Sequence, residues 1–125
     1  MTRAEQADRP DRLSVEERVV DGVRVVTVRG EIDHDVQDKL RKALLGKDDE
    51  PMPSRIVADL TRVTFMDSSG LNVFVAAHRQ VSDTSDAVGW VRIAGAQDSV
   101  LRVLQMTGVD SIIGCYPTTE QALTA

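Results

Sequence analysis

The stretch that decides the fold is residues 55–81, RIVADLTRVTFMDSSGLNVFVAAHRQV. It begins with a short, largely apolar run from Ile56 to Leu60, which is typical of a strand buried on both faces of a sheet. After the polar corner DSSG at 67–70, apolar residues recur at helical spacing from Leu71 onward. The stretch therefore predicts a buried strand that delivers two serines to the start of an amphipathic helix.

Ser68 and Ser69 stand where the chain enters this helix, and two interpretations of them remain open. Aspartate and serine are preferred helix caps, so capping alone can explain the corner. The free N–H groups and the positive end of the helix dipole at this place also suit an anion. A phosphate on a serine here would add a charge of roughly −1.5 to −2, which the fold tolerates but a partner pressed against the corner would not.

A β-hairpin and a helix precede this stretch. Two β-rich runs, 13–20 and 23–30, flank the tight-turn dipeptide Asp-Gly at 21–22. A helix with one apolar face follows, with Asp33 as its expected N-cap and Gly46 as its expected stop.

The rest of the chain alternates loops, strands and helices. In order, the pattern predicts a surface loop at 47–54, a polar loop at 82–86, a strand at 88–94, a helix at 97–107, a strand at 111–115 and a C-terminal helical turn capped by Thr118 with Gln121 three residues later. The order β-β-α-β-α-β-α-β-α indicates an α/β fold. We expect a mixed β-sheet, an N-terminal hairpin plus mainly parallel strands, packed with about four helices.

Length and composition limit what the chain can be. Its 125 residues suffice for one domain with a core but not for two. Residues 1–12 offer almost nothing to bury and predict a disordered tail before a domain at 13–125. No apolar run reaches the roughly 18 residues of a membrane span, and the N-terminus lacks the apolar core of a signal peptide. The single cysteine, Cys115, excludes an intramolecular disulfide, which fits a cytoplasmic protein.

The charge and the reactive residues disfavour several function classes. A net charge of −5 disfavours a protein that binds the phosphates of nucleic acid directly. A serine hydrolase would need an imidazole base, and neither His34 nor His78 is placed for it by the sequence. One cysteine and two scattered histidines form no metal-ligand pattern, and no phosphate-binding glycine loop follows any strand. We therefore expect no catalytic residues, no metal and no cofactor.

Two aspartates could still bind a cation in principle. The simpler interpretation is that Asp59 ends its strand and that Asp67 orders the turn before the helix.

The sequence resembles a STAS domain, and specifically the bacterial anti-sigma-factor antagonists of sporulation and stress response. The resemblance rests on VVTVRGEIDHD at 25–35 and on VADLTRVTFMDSSGLNVFVAAHRQ at 57–80. A weaker match at 91–113, VRIAGAQDSVLRVLQMTGVDSII, extends the resemblance to about residues 13 to 123.

The resemblance implies a partner-switching cycle. The unphosphorylated antagonist binds an anti-sigma factor, which is a serine kinase that uses ATP, and so frees a sigma factor. Phosphorylation of the first serine of the corner, Ser68, releases the antagonist, and a metal-dependent serine/threonine phosphatase resets it. The resemblance also implies a partner-binding surface whose residues are Asp33, Asp67, Ser69, Gly70 and Leu71.

Other STAS domains keep the fold without this cycle. Some are stressosome scaffolds, some are subunits of lipid-transport complexes and some are the tails of anion transporters. The retained Asp-Ser-Ser-Gly favours a phosphorylatable antagonist over the lipid-transport subunits, and the absence of a membrane segment in the sequence disfavours the transporter tail. A scaffold or transport-complex subunit remains the alternative.

Overall fold

The N-terminal hairpin forms as its sequence predicts. The computed structural model describes residues 13–47, 51–84 and 89–125. Strand β1 (Leu13–Val20) pairs antiparallel with strand β2 (Val23–Ile32). Both turn residues have positive φ, 52° at Asp21 and 81° at Gly22, which is the backbone that a two-residue hairpin turn requires. Strand β2 continues two residues beyond its expected end at Gly30, because its far end stays paired with the next strand.

The described strands form one mixed sheet. Helix α1 (Gln37–Leu45), strand β3 (Arg55–Met66), helix α2 (Ser68–Thr84), strand β4 (Trp90–Ala94), helix α3 (Asp98–Met106), strand β5 (Gly114–Tyr116) and helix α4 (Thr119–Thr124) follow the hairpin. The strand order is β1-β2-β3-β4-β5, and every pair except β1 and β2 is parallel. The predicted fold class and element order are confirmed. Short 3-10 turns at His34–Val36 and Val109–Ser111 are additions that the pattern did not show.

The main core lies between the sheet and helices α1, α2 and α3, on what we call the first face. Alternate residues of β2 and β3 point into it, and each of the three helices contributes its apolar side. The fully buried side chains from these helices are Leu40, Leu44, Phe74, Ala77, Val81 and Leu104.

A smaller core lies on the opposite, second face. There Ala122 of α4 covers Val23, Val25, Val57 and Ala94. Arg92 fastens this helix, since its Nη1 donates to the carbonyl of Ala122 at 2.9 Å and its guanidinium lies 3.7 Å from the centre of the Trp90 ring. Of the helices described, only α4 packs on the second face.

The sheet is longer at β2 and β3 than at β4. The pairing of β3 with β4 stops at Asp59 and Ala94, whereas β2 and β3 remain paired as far as Ile32 and Met66. Two register shifts interrupt this extension. Asp59 therefore does not end its strand, as the sequence suggested; its carboxylate instead accepts hydrogen bonds from the backbone N–H and hydroxyl of Thr61.

The end of helix α2 and the position of the last strand also differ from the predicted ones. Helix α2 runs on to Thr84, so the loop expected from residue 82 does not begin there. The last strand is 114–116 rather than 111–115, because Gly108 in the left-handed region (φ 80°) ends α3 and residues 109–111 form a 3-10 turn.

Some predictions fall outside the described residues. These are the tail at 1–12, the middle of the loop at 47–54, the end of the loop at 82–86 and the first residue of the strand expected at 88–94.

Candidate functional site

The Asp-Ser-Ser-Gly corner lies at the carboxyl end of β3. Met66 is the last strand residue and is paired with Ile32 of β2. The backbone N–H of Asp67 then donates to the carbonyl of Ile32 at 3.2 Å, so the chain turns off the sheet while still attached to β2. Helix α2 begins at Ser68. The carboxyl ends of parallel strands are where α/β folds present functional residues.

Asp67 caps this helix. Its Oδ1 accepts a hydrogen bond from the backbone N–H of Ser69 at 2.9 Å. Its backbone carbonyl accepts from the N–H groups of Gly70 and Leu71 at 3.1 and 3.3 Å. The prediction that Asp67 orders the turn is confirmed. The N–H groups of Ser69, Gly70 and Leu71 therefore already have acceptors, whereas that of Ser68 has none among the described residues, so only one of the N–H groups expected to suit an anion is free.

Ser68 takes no part in capping the helix. Its side chain is exposed, and its hydroxyl makes no hydrogen bond with any residue in the described ranges. A capping serine would instead accept an N–H from the first turn, as Thr118 does from Gln121 at 3.1 Å at the start of α4. The hydroxyl of Ser68 is therefore available to a reagent or enzyme from solution.

Gly70 and Leu71 face inward rather than outward. A Cβ added to Gly70 would lie 2.6 Å from Cγ2 of Ile32 and 2.7 Å from Cγ of Met66. Leu71 is 5% exposed and belongs to the main core. The first turn of α2 thus rests directly on the ends of β2 and β3, and only a residue without a side chain fits at position 70.

A second capped helix start lies beside the first. Asp33 directly follows Ile32, and its Oδ1 accepts the N–H of Asp35 at 3.1 Å, so it caps the 3-10 turn that leads into α1. The N-cap of α1 itself is Val36, so the expectation that Asp33 holds that position is wrong. Since the Ile32 carbonyl binds the N–H of Asp67, the two acidic caps leave neighbouring strands at the same end of the sheet.

Gln37 joins these two helix starts. Its Nε2 donates to the backbone carbonyl of Ser69 at 3.3 Å, a contact between residues 32 positions apart. The side chain of Ser69 is half-buried next to this contact. Sequence reasoning missed Gln37, because a glutamine at the beginning of a helix has no local pattern that marks a contact made through the tertiary fold.

Neither histidine forms a catalytic pair with Ser68 among the described residues. His78 lies ten positions after Ser68 on the same helix, roughly 15 Å along its axis. His34 is exposed, and no hydrogen bond joins either imidazole to Ser68 in the part of the chain described. Within residues 13–47, 51–84 and 89–125, no three His, Cys, Asp or Glu side chains converge as metal ligands.

Cys115 lies on β5, at the far edge of the sheet from the hairpin. Burial and the nearby carboxylate of Asp110 raise the pKa of its thiol, so the thiol is protonated at neutral pH and unreactive. The described helices include none that is long and apolar enough to cross a membrane.

Comparison with known proteins assigns the chain to one family. The family model for the STAS domain matches residues 14–122. An anti-sigma F factor antagonist from Paenibacillus polymyxa is 32% identical over 107 residues, which cover 82% of this chain and 86% of the relative. The anti-sigma-F factor antagonist RsfB of Mycobacterium tuberculosis is 31% identical over 116 residues, covering 92% of this chain and 90% of the relative.

A solved structure agrees with both sequence comparisons. The crystal structure of an anti-sigma factor antagonist from Mycobacterium paratuberculosis superposes with a TM-score of 0.76 at 30% identity, covering 92% of this chain and 94% of that one. This chain therefore belongs to the STAS domain family, within its branch of bacterial anti-sigma factor antagonists.

Proposed function

We propose that this protein is an anti-sigma factor antagonist whose binding is switched by phosphorylation of Ser68. In its unphosphorylated form it binds an anti-sigma factor in the cytoplasm and so frees a sigma factor. The observation that carries the proposal is that Asp67 caps helix α2, while the exposed Ser68 hydroxyl makes no hydrogen bond to any described residue. The names of the relatives support the choice of partner.

The chain is the substrate in this cycle and not an enzyme. The anti-sigma factor is itself a serine kinase: Oγ of Ser68 attacks the γ-phosphorus of its bound ATP, the hydroxyl proton leaves to a base of the kinase, and ADP departs. A metal-dependent serine/threonine phosphatase hydrolyses the phosphoserine and restores the hydroxyl. No base in this chain is needed, which agrees with the distance between Ser68 and His78 along α2.

The corner explains how a phosphate releases the partner without unfolding the protein. The positive end of the α2 dipole partly offsets the added charge. The N–H groups of Ser69, Gly70 and Leu71 remain hydrogen-bonded to Asp67, so they are not available to bind the phosphate. The phosphate therefore stays on the surface, beside the carboxylates of Asp67 and Asp33, where it repels an interface packed against the corner.

The remaining members of the partner-binding surface divide into two groups. Asp33, Asp67 and Ser69 are partly exposed at the same end of the sheet and can touch the partner. Gly70 and Leu71 are buried, and we assign them the role of setting the position of the α2 start.

The test is phosphorylation by the anti-sigma factors encoded in the same genome. Incubation with such a factor and ATP, followed by phosphopeptide mapping, should place one phosphate on Ser68. The Ser68→Ala variant should accept no phosphate and remain bound in the presence of ATP, whereas Ser69→Ala and the exposed control Ser99→Ala should be phosphorylated. Ser68→Asp should bind the factor at least about tenfold more weakly, as expected for an unpaired charge at an interface.

Two results would contradict the proposal. A phosphate on Ser69 or elsewhere would show that Ser68 is the wrong residue. A chain that takes up no phosphate from any such factor and elutes as a large assembly would instead be a scaffold or a subunit of a transport complex.

A further inference from the structure

The second face of the sheet is uncovered where β2 and β3 extend past β4. Helix α4 covers the half of this face near the hairpin turn, around Val25 and Val57. Beyond the Asp59–Ala94 pair, β2 and β3 continue side by side as far as Ile32 and Met66. In the described part of the chain, no helix packs on this extension from the second side, although its first side is fully buried.

Three large side chains occupy this uncovered surface, which we call the second-face patch: Arg29, Arg62 and Phe65. The first two alternate with Val28 and Val63, which are buried on the first face, and Phe65 precedes the buried Met66. All three side chains are exposed, and Phe65 exposes 47% of its surface.

The two arginines are directly opposite each other. The register of β2 and β3 pairs Arg29 with Arg62. Like charges at directly paired positions destabilise a sheet. Neither guanidinium makes a hydrogen bond or ion pair with any residue of the ranges 13–47, 51–84 and 89–125. By contrast, Arg24 on the first face pairs with Glu17 at 2.9 Å. Within the described residues, the arginine pair therefore lacks the anion that would make its placement favourable.

The neighbouring carboxylates do not supply that anion. Asp59 has its carboxylate bound to Thr61, and Glu31 stands opposite Phe65 rather than opposite an arginine. Glu16 faces Thr27 on the neighbouring strand pair. None of them forms an ion pair with the two guanidinium groups among the described residues.

The patch is continuous with the phosphorylation corner and has the composition of a binding surface. Phe65 lies two residues before Asp67, so the patch and the corner share the end of β3. Exposed aromatic residues and arginines are the side chains most enriched in protein interfaces and in their energetic centres. The net charge of −5 disfavours nucleic acid or an anionic membrane as the occupant, since each presents an extended anionic surface to the whole molecule, whereas a short acidic segment meets mainly the local charge of the two arginines.

We propose that the second-face patch is a second part of the surface that binds the anti-sigma factor, and that it takes an acidic segment of that partner. The carboxylates of this segment bridge Arg29 and Arg62, and an apolar side chain beside them covers Phe65. This inference rests on the proposed function, because it takes the anti-sigma factor as the partner. The patch adds affinity to the unphosphorylated complex and plays no part in accepting the phosphate.

The experiment compares binding of the phosphorylatable chain and its variants to the purified anti-sigma factor at two salt concentrations. Arg29→Ala, Arg62→Ala and Phe65→Ala should each weaken binding about tenfold or more, and Arg62→Glu should weaken it further. The two arginine variants should also show a smaller loss of affinity between low and high salt. Once bound at saturating concentration, every variant should still be phosphorylated on Ser68.

Arg18→Ala is the matched control. Arg18 is an exposed arginine on the same sheet face, opposite Val25 near the hairpin turn and far from the corner. We expect this variant to bind within about twofold of the unmodified chain. Urea denaturation of each variant separates a loss of binding from a loss of folding.

The outcomes distinguish this inference from the proposed function. If the unmodified chain binds the anti-sigma factor and the three patch variants bind as Arg18→Ala does, the patch is not part of the interface and the proposed function stands. If the unmodified chain binds no anti-sigma factor at all, both are overturned. Self-association that Arg62→Glu abolishes would identify a second copy of the chain as the occupant, and binding to anionic vesicles or DNA would identify those; each result contradicts the inference.

Discussion

The two faces of the sheet differ in how completely they are covered, and the two phenylalanines show the difference. Phe74 lies in α2 on the first face and has no exposed surface, whereas Phe65 lies in β3 and exposes 47% of its surface on the second. Three helices cover the first face, while among the described elements α4 alone covers the second, and only in part. The first face therefore supplies most of the stability, and the second leaves surface available for binding.

The Asp-Ser-Ser-Gly corner lies between these two environments. Gly70 and Leu71 anchor it to the packed first face, and Phe65 leads into it along the open second face. The loss of stability caused by a substitution should therefore decrease steadily from the packed side to the open side. The following variants test that order by the free energy of unfolding in urea.

Phe74→Ala should have the largest effect. Removal of a fully buried phenylalanine ring loses its burial and leaves a cavity, which typically costs about 3–5 kcal/mol. Urea denaturation followed by circular dichroism should show this loss. A cost below about 1 kcal/mol would mean that the first face collapses around the missing ring and is not the rigid side of the molecule.

Gly70→Ala should follow, with a loss of about 1–3 kcal/mol from overpacking. The added Cβ would meet the side chains of Ile32 and Met66 at 2.6 and 2.7 Å, so the start of α2 must move. Asn72→Ala, at an exposed position of the same helix, is the control and should change stability little. If Gly70→Ala were neutral, the corner would not be seated on the strand ends as described.

Arg92→Ala should cost roughly 1 kcal/mol. It removes the ring contact with Trp90 and the hydrogen bond to the Ala122 carbonyl, both of which hold α4 on the second face. In this variant, hydrogen exchange in α4 should be faster than in the unmodified chain, while exchange in α2 should stay the same. Arg102→Ala, an exposed arginine of α3, is the matched control; equal effects of the two variants would show that Arg92 does not hold α4 in place.

Phe65→Ala should have the smallest effect, within about ±0.5 kcal/mol, because half of the ring is already in water. The contrast with Phe74→Ala compares the same substitution on the two faces. A loss near that of Phe74→Ala would show that the second face is packed at this point and is not open to a partner.

Local patterns predicted most of the fold correctly for a physical reason. The hairpin boundaries follow from alternation and from the Asp-Gly turn, whose positive φ angles few other dipeptides adopt. The last strand was placed wrongly because Ile112 and Ile113 look like strand residues, whereas Ile113 is buried after a 3-10 turn and Ile112 is exposed. Apolar residues in short runs report burial without specifying the backbone conformation.

The candidate site was predicted less completely. Ser68 and the two aspartate caps could be found from the sequence, since capping chemistry is local. Whether Asp67 or Ser68 performs the capping depends on a single hydrogen bond to the N–H of Ser69, which the pattern leaves undecided. The Gln37–Ser69 contact and the Arg29–Arg62 pair join residues from different elements, so only the tertiary fold reveals them.

The stacking of Arg92 on Trp90 gives the protein a built-in optical reporter. Trp90 is the only tryptophan, and it pairs with Arg55 at the opposite end of β3 from Met66. Because Arg92 contacts both the Trp90 ring and the Ala122 carbonyl of α4, the fluorescence of Trp90 should change when α4 detaches from the sheet. The proposed phosphorylation at the far end of β3 should leave the Trp90 emission unchanged. A change in emission therefore reports a loosened α4 and not an altered corner.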